Sequence, residues 1–114
     1  MTEQDLIAQL EQGPVAFSNV MEVIDREYDF KPTAFRNGEQ DNAAGENNGS
    51  CKVFAFAQRH QLSLAATLNA FGDYYSKDVL ANPAGSDHAN IRNFMQTGWQ
   101  GVLFEGEALS VRGA

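Results

Sequence analysis

The chain reads as a single α+β domain over residues 1–114, predominantly helical, with about five helices packed with a short two-stranded antiparallel element. The first observation behind this is rhythm. Apolar residues recur at helical spacing in several segments, each bounded by a capping residue, Gly or Pro. The second is that only residues 33–36 and 102–105 read as strands. The third is size: 114 residues suffice for one ordinary core, and eight Phe, three Tyr and one Trp supply its bulk.

Residues 2–12 form the first helix, with Thr2 as cap, Leu6, Ile7 and Leu10 on one face, and Gly13 ending it. Pro14 suits the first turn of a second helix, where Phe17, Val20, Met21, Ile24 and Tyr28 make a core-facing stripe. Pro32 discourages helix, so 33–36 reads as an edge strand before the Asn37-Gly38 turn. A polar Asn- and Gly-rich loop follows up to Gly49, and loops of that length are usually functional or disordered.

The apolar run 53–57 fits a buried strand or a buried helix. Ser50 as N-cap and Gln58-Arg59 at the end favour helix, with Cys51 as its first residue. Ser63 caps the next helix, whose stripe is Leu64, Leu68, Phe71, Tyr75 and Val79. Gly72 inside that stripe costs about 1 kcal/mol relative to Ala and points to a close approach or a kink. Residues 82–86 are a loop. Asp87 caps a last helix that Gly98 closes, and 102–105 return to pair with 33–36. Residues 107–114 read as a weakly ordered tail.

Eight basic against fifteen acidic residues give a formal charge of −7, which argues against nucleic-acid binding and against adhesion to anionic lipid. The expected partner is a protein or a small molecule. A single cysteine leaves the fold independent of an internal disulfide, and the acidic first residues lack the blocks of a signal peptide, so a reducing, cytoplasmic setting is expected. No run reaches the roughly 20 apolar residues of a membrane span. No metal-ligand spacing or phosphate-cradling glycine loop is present, so neither metal nor cofactor is expected.

Two kinds of site remain. Cys51 at a helix start would feel the positive end of the dipole, which favours the thiolate. With His88 (or His60) as base and Asp87 (or Asp78) as orienter, it forms a thiol triad in residue type. A small, inert cysteine is the commoner account of such a residue. The second kind is a polar ligand-binding face built from Asn37, Asn42, Asn47, Asp73, Tyr74, Asp78, Asn90 and Arg92. It follows from backbone accounting: a long loop carries many donors and acceptors, and those that are buried need partners. The loop over 37–52 is therefore expected to pack on the helix beginning at Asp87, with the Arg92 guanidinium holding loop carbonyls.

Several strings span nearly the whole chain: Pro32-Thr33-Ala34-Phe35 to Asn37-Gly38, Ala44-Gly45-Glu46-Asn47, Gly49-Ser50-Cys51-Lys52, Phe71-Gly72-Asp73-Tyr74-Tyr75, and Asp87-His88 with Asn90-Ile91-Arg92-Asn93-Phe94-Met95. In these the sequence resembles the HopJ type III effector family. The resemblance implies bacterial origin and, for some members, delivery into a plant host cell by a type III system. It implies no particular reaction and no catalytic residue. The residues and the resemblance together favour a non-enzymatic interaction or small-ligand-binding module, with a Cys51-dependent hydrolase or transferase as the alternative.

Overall fold

A computed structural model describes residues 1–112. Its helices are α1 (Glu3–Leu10), α2 (Phe17–Glu27), α3 (Asn48–Arg59), α4 (Leu64–Asn69) and α5 (Ala89–Thr97), with a π-helical segment Tyr74–Val79 and a 3-10 turn Gly98–Gly101. The strands are β1 (Tyr28–Phe30), β2 (Phe35–Asn37), β3 (Gln40–Asn42), β4 (Val102–Phe104) and β5 (Leu109–Val111). The fold is α+β and rich in helix, as the sequence predicts.

The core follows the helical stripes. Leu6 and Leu10 of α1, Val20 and Ile24 of α2, and Val53 and Phe54 of α3 are fully buried. Phe54 is the hub, with the rings of Phe94 at 5.0 Å, Phe71 at 5.5 Å and Phe35 at 6.0 Å. Burying a side chain of that size contributes roughly 1.5–3 kcal/mol. α1 begins with a reciprocal capping box, in which the Asp5 amide donates to the Thr2 hydroxyl and the Thr2 amide to the Asp5 carboxylate. At the far end of α3, the Glu3 carboxylate accepts from the Tyr28 hydroxyl and lies 2.7 Å from His60 Nε2. His60 is thereby tied to α1, at the edge of the core. Burial, then the Glu3 carboxylate, pushes the Tyr28 phenol up to about 12.

The expected strand pair forms, antiparallel and in the register Phe35↔Phe104, Arg36↔Leu103, Asn37↔Val102. It starts two residues later than expected and is not alone. β3, inside the segment expected to be loop, pairs with β2 on its other side. A second sheet joins β1 to β5, so the expected weakly ordered tail is a paired strand over Leu109–Val111. Residues 113–114 of that tail lie outside the described residues. Tyr28 continues the helical stripe in sequence but is extended, because its backbone pairs with Val111. α2 starts at Phe17 rather than in the turn of Pro14.

The stripe from Leu64 to Val79 is not one helix. α4 ends at Asn69, and Gly72 takes a left-handed φ of +58°. A Cβ there would lie 2.7 Å from the Val15 carbonyl oxygen and 3.0 Å from the Phe17 amide nitrogen. Gly72 therefore serves both a close approach and a break: the chain crosses the turn before α2 with no room for a side chain. It resumes as the π-helix that carries Tyr74 and Asp78.

Candidate functional site

The centre of the polar region is a knot of asparagines. β2 and β3 form a hairpin with Asn37 opposite Gln40, so its loop is the two residues Gly38 and Glu39. This sets Asn37 and Asn42 against the first turn of α5. Asn37 Nδ2 donates to the Asn90 carbonyl at 2.7 Å and to Asn90 Oδ1 at 3.1 Å. Asn42 and Asn90 bond reciprocally, and Asn47 Nδ2 donates to Asn42 Oδ1 at 2.7 Å. Asn37, Asn42 and Asn90 are all buried. The one buried side-chain polar atom left without a partner among the described residues is Asn37 Oδ1.

This knot brings two helix starts together. Asn47 precedes α3 and His88 precedes α5, and both are left-handed, at φ +51°. Neither helix carries a side-chain cap. Both residues are left-handed where a capping residue is normally extended, and their side chains turn elsewhere: Asn47 Nδ2 donates to Asn42 Oδ1, and His88 Nε2 lies 3.1 Å from Asp78 Oδ2. The expected caps are thereby corrected. Ser50 lies inside α3, which begins two residues earlier, and Asp87 precedes the residue at the start of α5.

Between the two starts lies a cleft of about 470 Å³. Asn47, Gly49 and Ser50 line it from α3, and His88, Ala89, Asn90 and Ile91 from α5. Phe17, Phe71 and Tyr74 complete its lining. The positive ends of two helix dipoles, each equivalent to roughly half an elementary charge, thus adjoin one cavity. A left-handed residue followed by right-handed ones also turns successive amides to one side, as in anion-binding nests.

The ligand-binding candidates divide accordingly. Asn47, Tyr74 and Asn90 line the cleft, while Asn37 and Asn42 support it from behind. Asp78 does not line the cleft but contacts His88, which does. Asp73 lies beside Lys77 and lines a smaller neighbouring cavity of about 360 Å³. Arg92 departs from expectation. Its guanidinium binds the Asn82 and Asp87 carbonyls and the Asp87 carboxylate, so it ties the loop before α5, not the loop over 37–52. That pairing holds the Asp87 carboxyl below the usual range.

The catalytic candidates do not assemble. Cys51 is 1% exposed and donates to the Thr33 carbonyl at 3.6 Å. Burial pushes its thiol up, against the smaller lowering effects of the Thr33 carbonyl contact and the Lys52 charge, which is opposite to the thiolate expected at a helix start. His88 lies between Asp78 and Asp87, and His60 is engaged by Glu3 and Tyr28. Among the described residues no hydrogen bond joins either imidazole to the thiol or to a serine hydroxyl. No group of three His, Cys, Asp or Glu among them could hold a metal ion.

Sequence reasoning missed Phe17, Gly49, Ser50, Phe71, Ala89 and Ile91 as cleft residues. Gly49 carried the one available signal. A Cβ on it would lie 2.8 Å from Phe17 Cζ, so it is where the α2 ring rests on the start of α3.

The model of the HopJ type III effector protein family matches residues 3–109. The crystal structure of the unknown function protein VPA0580 is similar, at 48% sequence identity and a TM-score of 0.94, covering 98% of this chain and 95% of that one. No functionally curated protein matches significantly. No helix among the described residues is long and apolar enough to cross a membrane.

Proposed function

The chain belongs to the HopJ type III effector protein family, and from that premise we propose that it is a non-enzymatic small-ligand-binding module whose site is the cleft between the starts of α3 and α5. The observation that carries this is the convergence of two helix starts without side-chain caps on one cavity of about 470 Å³. The volume falls in the usual range for small-molecule sites, and the lining has the usual mix of an apolar wall and a few placed polar groups. Unspent first-turn amides favour a ligand with a hydrogen-bond acceptor, such as a carboxylate.

The test is an amide NMR titration of the full chain with a panel of small carboxylates and inorganic phosphate. Shifts are expected at Gly49, Ser50, Ala89, Asn90 and Ile91, and Ala89→Phe, which fills the cleft, should abolish them. No shifts with any compound, or shifts that survive Ala89→Phe, would overturn the proposal. The family's description also supports delivery by a type III system as the route to that ligand. A translocation reporter fused to the chain tests it, and no signal in recipient cells argues for a role inside the producing cell.

A further inference from the structure

We propose that the cleft selects ligands carrying a planar aromatic ring, and that Tyr74 is the residue responsible. This rests on the reading of the cleft as a small-ligand site and adds the chemical class of what enters it.

Part of the cleft lining is a series of unsaturated rings that runs from Phe71 to His88 at the start of α5. Phe71 stacks on Phe17 at 6.3 Å and 15°, Phe17 meets the Tyr74 ring edge-on at 5.2 Å, and Tyr74 meets the His88 imidazole at 5.3 Å. The series is fixed at its base. Phe71 is buried, and Phe17 rests on Gly49, where even a methyl group would collide with the ring. Its outer member is different. Tyr74 is 44% exposed although two rings hold it in place, and its hydroxyl makes no hydrogen bond among the described residues.

Tyr74 borders the main cleft and also the cavity of about 360 Å³ beside it, so open space adjoins the ring in both. It is the first residue of the π-helical segment, a rare backbone form concentrated at functional sites. A large ring, positioned by other rings but left uncovered at a cavity, is a preformed partner for another ring. An aliphatic ligand of equal size would bury similar area without the ring–ring term, which is worth a factor of about two to ten. The free hydroxyl adds a polar partner for a ring substituent.

The experiment compares benzoate with cyclohexanecarboxylate, which match in charge and closely in size and differ in the planar ring. The full chain is titrated with each, read at the amides of Gly49, Ser50 and Ala89. Benzoate is expected to bind about fivefold more tightly. Tyr74→Leu should remove that preference and Tyr74→Phe should keep it; Tyr74 is exposed enough for both variants to fold, which the same spectra verify. Equal binding of the two acids overturns ring selection and leaves the cleft reading standing. Binding of neither overturns both. A preference that survives in full in Tyr74→Leu removes Tyr74 from the role.

Discussion

Asn42 and Asn90 hold each other by both ends of their amides: Asn90 Nδ2 donates to Asn42 Oδ1 at 2.9 Å, and Asn42 Nδ2 donates to Asn90 Oδ1 at 3.2 Å. One residue closes β3 and the other lies in the first turn of α5, 48 positions away. Because Asn47 and Asn37 bond to the same pair, this contact sets the distance between the two helix starts and so the width of the cleft.

Asn90→Ala should therefore cost stability and binding together. It removes buried partners from Asn37 and Asn42, at about 1–3 kcal/mol. Chemical denaturation should show a lower midpoint with an unchanged slope. A variant as stable as the parent would show that the knot is not what joins hairpin to helix.

Gly72→Ala should be among the most damaging single changes. The residue has φ +58°, and the atoms an added Cβ would strike belong to the backbone of residues 15 and 17, which cannot rotate away. The expected loss exceeds about 2 kcal/mol. Gly13→Ala is the control, since a Cβ there meets nothing within 4 Å. Equal effects at the two positions would refute the close-approach account.

How much of this was legible beforehand differs by element. The stripes of α1 and α2 were, because the apolar residues that the core needs lie at helical spacing. The pairing of β2 with β4 was, because few other segments could extend. β1 was not, since Tyr28 sits in helical register with Ile24 and only the distant Leu109–Val111 makes it a strand. The break after Asn69 was hidden for the same reason: the apolar rhythm runs on through Phe71 to Val79, and only Gly72 marks the crossing. In the site, the asparagines were identifiable as residues seeking buried partners. Their mutual bonding was not, because it joins residues of which the most distant are 53 apart. At Cys51 the sequence offers both a thiol activated at a helix start and a small inert cysteine, the commoner account, and the burial of the side chain, which raises the thiol, favours the second.

Cys51 should accordingly be inert in the native protein. At neutral pH a thiol-alkylating reagent should label it on the order of a hundredfold more slowly than in denaturant, limited by opening of the fold. The thiol's folded pKa is raised above its unfolded value. Its contribution to stability is thus fully present below the ordinary thiol range and lost as pH rises through that range towards the folded value. Cys51→Ala should flatten that alkaline loss. Fast native labelling would mean that the thiol is reachable, and would reopen nucleophilic chemistry at this position.

Arg92→Ala tests which loop the guanidinium governs. Arg92 contacts the carbonyls of Asn82 and Asp87 and the Asp87 carboxylate at 2.6–2.8 Å, all within the segment that leads into α5. Hydrogen exchange should therefore accelerate over residues 82–88 and stay unchanged over 38–50, where the asparagine knot remains whole. Acid titration gives an independent check. Arg92 holds the Asp87 carboxyl below its ordinary value, so the pair's contribution is present above the usual carboxylate range and disappears as pH falls through the lowered one. In Arg92→Ala the Asp87 carboxyl, followed by NMR, should titrate closer to an ordinary aspartate. Since His88 is the residue between Asp87 and the cleft, loosening this loop should also weaken carboxylate binding without altering exchange in the hairpin. Faster exchange over 38–50 with protected 82–88 would reverse the assignment and return Arg92 to the other loop.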